Sequence, residues 1–364
     1  MLGLSITRTS GSNACGRSGK QLPWARIFEA SSNESFAMPK EINRRDFIAK
    51  SMLAAQAGAL AATASAADAP SAGAPPKIES KVSLPMGKIG EDFNVSRVIL
   101  GGNLVNLFTH SRDLKYVEQL AAQYHTDDRI LDTLKVAEEN GVNTMSLSNR
   151  PRAMGLLKRH RNERGGQMQW IVCPISKPDD SMSAYREEVE QLVTEGADAV
   201  YMHGGMSDSL LAAGRIDLIA KAVEIFKTSG VSGGVGAHDL VVVDACEKAG
   251  IPNDFYIKTF HHLEYPTAPK PEDMKQPCAE LPGYWCKDWK AVAERMKSVK
   301  KAWIAFKIMA ADAIPPQKAF QWAFENGGDH ILVGMFDWQI AEDVALARES
   351  IEKSKAKRQR PWCS

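Results

Sequence analysis

The run Asp198-Ala199-Val200-Tyr201-Met202-His203-Gly204-Gly205 decides the fold. It is a short apolar stretch with a β-branched and aromatic centre. An amphipathic helical pattern precedes it and two glycines break it, which is how a buried parallel strand ends. A histidine stands at its carboxyl end. In a barrel of alternating strands and helices that end carries the chemistry, so His203 is the first residue to account for.

The same unit repeats on both sides. Ser96 to Gly102, Val142 to Leu147 and Gln169 to Cys173 predict strands before it, and Gly233 to Ala237, Asp254 to Phe260, Ala302 to Ile308 and His330 to Met335 predict strands after it. Helical patterns fill the gaps. Asp127 to Asn140 places Ile130, Leu131, Leu134 and Ala137 on one face and stops at Gly141. His110 to Ala122 is helical in period. Eight such units over about 250 residues predict an α/β fold of the (β/α)8 TIM barrel kind, with a doubly wound open sheet as the alternative. A Pro-rich, aromatic loop from Leu263 to Asp288 is placed to act as a lid.

The ends of the chain read differently. Arg44-Arg45, with Phe47 and Lys50 following, resembles a twin-arginine translocation signal, and Ala64-Ser65-Ala66 supplies a cleavage site after an alanine-rich stretch. The expected organisation is an extension over 1–37 that is disordered or untranslated, with Met38 as the start, then a signal peptide over 38–66. A Pro/Ala/Gly linker over 67–85, the barrel over 86–353 and a basic tail over 354–364 follow. The expected product is an exported, periplasmic protein that meets the twin-arginine translocation machinery and carries no stable membrane span, since no segment outside the signal reaches the ~18 apolar residues needed.

With 44% hydrophobic and 24% charged residues the 364-residue chain is globular in composition. Forty-five basic against 44 acidic residues leave no field that favours nucleic acid, and the tail Lys353 to Arg360 reads as a solvated end. Six cysteines are too scattered for a disulfide framework, although Cys278 and Cys286 share one loop and either pair or stay free.

Strand ends in such a barrel bring together Asn103, Ser148, Cys173, His203, His238, Asp239, Lys258, His261, His262, Lys307 and Asp337. His203 and His238 are candidate catalytic groups, whereas Asp239 is positioned to cap the next helix. Lys258 and Lys307 sit in apolar strands, where a lysine is costly unless paired or deprotonated. They are candidates for anion binding, proton transfer or a Schiff base. A divalent metal on His203, His238 and His261 is the alternative use of the histidines.

Several of these segments together resemble the aldo/keto reductases. Val95 to Gly102 is similar to their opening strand, Glu139 to Thr144 to their entry into strand two, Val200 to His203 to the strand bearing their active-site histidine, and Leu332 to Gly334 with Glu342 to Val344 to their cofactor-binding half. The resemblance implies a nicotinamide cofactor, NADP, with Gly334 and Arg348 as cofactor-binding candidates, and export by the twin-arginine route implies that it is held tightly. It also implies an aspartate and a tyrosine after strand two and a lysine on strand three. Here those stretches read Thr144 to Pro151 and Ile171 to Pro174, without them, and only His203 matches. Asp254 to Thr259 also resembles the lysine-bearing strand of class I aldolases. The expectation is an oxidoreductase acting on a carbonyl or sugar-like small molecule. The alternatives are a metal-dependent or Schiff-base lyase, isomerase or epimerase, and a non-catalytic binding protein.

Overall fold

The computed structural model describes residues 76–111, 114–277 and 283–364. The expected signal segment, its cleavage site and Cys278 lie outside them. Among the described residues no helix is long and apolar enough to cross a membrane.

Eight parallel strands close into a barrel. A hairpin of β1 (Met86–Ile89) and β2 (Phe93–Ser96) comes first. The barrel strands are β3 (Val98–Gly101), β4 (Thr144–Ser148), β5 (Gln169–Cys173), β6 (Ala199–Met202), β7 (Ser232–Ala237), β8 (Phe255–Thr259), β9 (Ala302–Phe306) and β10 (His330–Val333). They pair in sequence order, and β10 closes on β3. The sequence expectation of a (β/α)8 barrel is the observed fold.

Alternation along each strand sorts the side chains into two cores. Ile99, Ile171, Ala199, Tyr201, Phe255, Ile257, Ile304 and Leu332 point into the barrel. Their neighbours Leu100, Val172, Val200, Tyr256 and Trp303 point outward and pack with the helices. The helix Asp127–Glu139 buries Ile130, Leu131, Leu134 and Ala137, the face read from its period, and Thr126 caps its start by accepting from the Arg129 amide at 3.3 Å.

Four features depart from the sequence reading, the first being that the helix read from His110 begins only at Lys115. The β1–β2 hairpin was not foreseen; Ile89, Phe93 and Val95 join the inward-facing core and stopper its amino-terminal end. The stretch read as linker to residue 85 docks from Ile78 onward. Its amides at Ile78 and Lys81 donate to the carbonyls of Gly165 and Glu139, and Leu84 is buried. The tail read as solvated is built into the fold. Arg360 is 1% exposed and, with Arg358, grips the fully buried carboxylate of Asp329, while Trp362 lies between the guanidinium groups of Arg97 (4.2 Å) and Arg358 (3.6 Å).

Candidate active site

A cavity of about 920 Å3 opens at the carboxyl ends of the barrel strands, and all eight contribute to its wall. The inward positions at the strand ends supply Gly101, Ser146 and Ser148, Cys173, Tyr201, Gly236, Thr259 and Leu332, and the residues just beyond supply His203, His238, Lys307 and Gly334. The wall is mainly apolar in area.

His203 caps the helix Gly204–Ala212, because its Nδ1 accepts the Gly205 amide at 3.2 Å. An amide N–H only donates, so Nδ1 bears the lone pair and Nε2 the proton. Desolvation by the cavity walls, then the charges of His238 and Lys307, push its pKa down to about 4, and the ring is neutral at neutral pH.

His238 is 4% exposed and has the opposite arrangement. Its Nδ1 lies 2.8 Å from Oδ2 of Asp208, whose other oxygen accepts the amides of His238 (3.2 Å) and Asp239 (3.1 Å). The carboxylate accepts, so the proton is on Nδ1 and the lone pair on Nε2. Desolvation lowers the His238 pKa against the opposing pull of Asp208. The two rings stand 6.4 Å apart, centre to centre.

Lys307 reaches the cavity by a backbone exception. Alternation along β9 would turn it outward, but its φ of 56° swings the side chain over the mouth. There its Nζ lies 2.7 Å from Nε2 of His110, another residue with positive φ (51°), and 4.7 Å from the Trp285 ring centre. Asn103 Nδ2 is 2.9 Å from the same His110 nitrogen. The loops after β3, β8 and β9 therefore meet over the cavity.

The remaining expected residues fall elsewhere. Lys258 is fully buried but points outward from β8, donating to the His238 carbonyl (2.7 Å), the Thr259 carbonyl (2.9 Å) and Thr259 Oγ1 (3.1 Å). It ties strand ends together and does not line the cavity, because it is one register step from Ile257 and Thr259. His261 directs Nδ1 to the His262 carbonyl and packs against Tyr265 and Trp285. The expected His203, His238 and His261 metal set is thus not assembled, and among the described residues no group of three or more His, Cys, Asp or Glu is placed to hold a metal ion. Asp239 caps the helix Leu240–Lys248, as read, and also accepts from Tyr284 at 2.7 Å. Asp337 is bound by Tyr124 and Arg129.

The two cofactor candidates separate. Gly334 lines the cavity, and a Cβ built on it would meet only Leu104, at 3.8 Å, so the wall there leaves room for a flat ring. Arg348 is exposed and does not line the cavity. Its helix, Ile340–Ser354, opens with Glu342 and Asp343, which oppose a phosphate at that end. The cationic side chains that do line the cavity are Arg150 and Lys307.

Four residues escaped the sequence reading as site residues: His110, Arg150, Asp208 and Tyr201, all at or beside the cavity. Asp208 lies on the helix after His203 in no recognisable motif. Tyr201 was read as strand core, yet it lines the cavity, and burial holds its hydroxyl protonated well above the usual range.

The fold and the position of this site are those of barrel enzymes that work at the carboxyl ends of their strands. Neither a protein-family model nor a curated protein matches the chain. Among solved structures it resembles a Pseudomonas aeruginosa protein assigned as an aldo-keto reductase, with a TM-score of 0.51 and 18% identity over 74% of this chain and 98% of that one. It also resembles Gox0644 in its apo form, with a TM-score of 0.50 and 12% identity over 78% of this chain and 98% of that one. A variant of Gox0644 has been solved in complex with NADPH, and matches at 15% identity and a TM-score of 0.46, over 77% of this chain and 98% of that one. At these identities the likeness is one of fold.

Proposed function

We propose that the chain is an oxidoreductase of the aldo/keto reductase kind, acting on a carbonyl, or the corresponding hydroxyl, of a small sugar-like molecule. The observation that carries this reading is the cavity at the strand ends, where His203 on the wall and Lys307 over the mouth approach one apolar space. Gox0644 shares the fold, a variant of it has been solved with NADPH, and that supports a nicotinamide dinucleotide here. Such a cofactor would supply or accept the hydride. Gly334 suits its ring, and Arg150 and Lys307, in place of Arg348, suit its phosphates.

The protein's own groups manage the oxygen. His203 directs its Nε2–H at the substrate oxygen and orients it, while the Lys307 ammonium over the mouth binds anionic charge in place of the missing lysine. Lys258 has no part in this, being sealed from the cavity. A second reading, an isomerase or epimerase without dinucleotide, is favoured by the acidic first turn of the last helix. Native mass spectrometry of the purified chain, followed by titration with NADPH, separates the two. Bound dinucleotide that a Gly334→Val variant no longer holds supports the first, and indifference of the wild type to NADPH supports the second.

Export through the twin-arginine machinery is part of the proposal and rests on Arg44-Arg45. Cell fractionation tests it: the wild type should be found in the periplasm, and an Arg44→Lys, Arg45→Lys variant should stay in the cytoplasm.

A further inference from the structure

The opposite tautomers of His203 and His238 are not needed to bind a carbonyl, whose oxygen only accepts hydrogen bonds. A carbonyl oxygen accepts a hydrogen bond from His203 Nε2–H and leaves His238 Nε2 without a donor. That nitrogen makes no hydrogen bond to the protein among the described residues, and it is not sealed in the core as His125 and His261 Nε2 are. It is therefore a lone pair presented to the cavity. The device that fixes it is costly to assemble by chance. Asp208 is 8% exposed, comes from the helix after β6, and takes both the ring proton and two backbone amides from the end of β7.

A hydroxyl group satisfies both rings at once. It accepts from His203 Nε2–H through its oxygen and donates its own proton to His238 Nε2. Two hydrogen bonds of about 2.9 Å meeting near the tetrahedral angle on one oxygen put the ring centres about 6.6 Å apart, and the observed spacing is 6.4 Å. We infer that the cavity binds its substrate through an alcohol hydroxyl bridging His203 and His238, with His238 as the base that takes the hydroxyl proton and Asp208 as the residue that positions it. In that step the O–H bond breaks, an N–H bond forms at His238 Nε2, and the imidazolium is held against the Asp208 carboxylate. The oxygen keeps the electron pair and the His203 hydrogen bond. This inference rests on the cavity being the substrate site proposed above and adds the alcohol as the form it recognises.

The test reads binding without any cofactor. Imidazole nitrogens of the full chain, labelled with 15N, are followed by NMR at neutral pH while cyclohexanol, cyclohexanone or methoxycyclohexane is added. The latter two have an oxygen that can only accept. The expected result is a neutral His238 protonated on Nδ1, a neutral His203 protonated on Nε2, and cyclohexanol binding at least about tenfold tighter than either analogue while shifting the His238 Nε2 signal. In Asp208→Asn the amide oxygen keeps the two backbone amides and the NH2 faces His238 Nδ1. The proton should move to Nε2 and the preference for cyclohexanol should fall to near parity. A His238 that is charged or protonated on Nε2 in the wild type, or cyclohexanol that fails to bind or binds no better than cyclohexanone, overturns the inference. The oxidoreductase reading fails separately: a chain that prefers cyclohexanol yet ignores NADPH keeps the hydroxyl site and loses the dinucleotide.

Discussion

His203 and Lys307 reach the same space by different routes, and single substitutions should separate their roles from that of Lys258. His203→Phe keeps a planar ring and removes both the donor and the cap on the Gly205 amide, so turnover of a carbonyl substrate should fall by about a hundredfold or more with the fold intact. Lys258→Met should do the reverse. It strands the carbonyls of His238 and Thr259, so the urea midpoint should drop while cavity ligands still bind; loss of binding at unchanged stability would return Lys258 to the site. This contrast was partly legible in the sequence. Position at a strand end marked His203, His238 and Lys307, whereas period-two alternation from Phe255 and Ile257 already turns Lys258 outward. Asp208 was illegible because its partner stands thirty residues on, at the end of another strand.

At the scale of elements the two ends of the described chain carry unexpected weight. Arg360 fills a buried slot, donating to the carbonyls of Met296 (2.8 Å), Val299 (3.0 Å) and Lys301 (2.8 Å) besides Asp329. Arg360→Ala leaves the Asp329 carboxylate undercompensated in the core, and denaturant unfolding should register a loss of about 3–5 kcal/mol. A loss below about 1 kcal/mol would mean the tail is the solvated end its composition suggested. Ile89→Ala in the hairpin stopper should cost about 2–5 kcal/mol by opening a cavity beneath the inward core, without moving the mouth. Neither element could be read locally. A run of lysines and arginines shows charge but not the distant aspartate that buries it, and two four-residue strands are at the lower limit of the length at which alternation is informative.

Over the whole molecule the repeated strand–helix alternation was enough to give the barrel, because each unit is local and the closure follows from their number. Acid sensitivity is a property of the same scale. Burial pushes His261 and His330 down to about 4, each from an ordinary value of 6.5. Between those values the unfolded chain holds more protons than the folded one, so stability falls as pH drops through that window, by up to about 1.4 kcal/mol per histidine per pH unit, and these two add no further loss below it. Urea midpoints at pH 7, 5 and 4 should decline in that order; a flat profile would show the rings are accessible. The central claim is that the strand-end cavity is where substrate and dinucleotide meet. A crystal structure of the full chain grown with NADP and cyclohexanol tests it most directly. The expected result places the nicotinamide ring against Gly334 and the hydroxyl between His203 and His238. Dinucleotide or alcohol bound away from this cavity would contradict it.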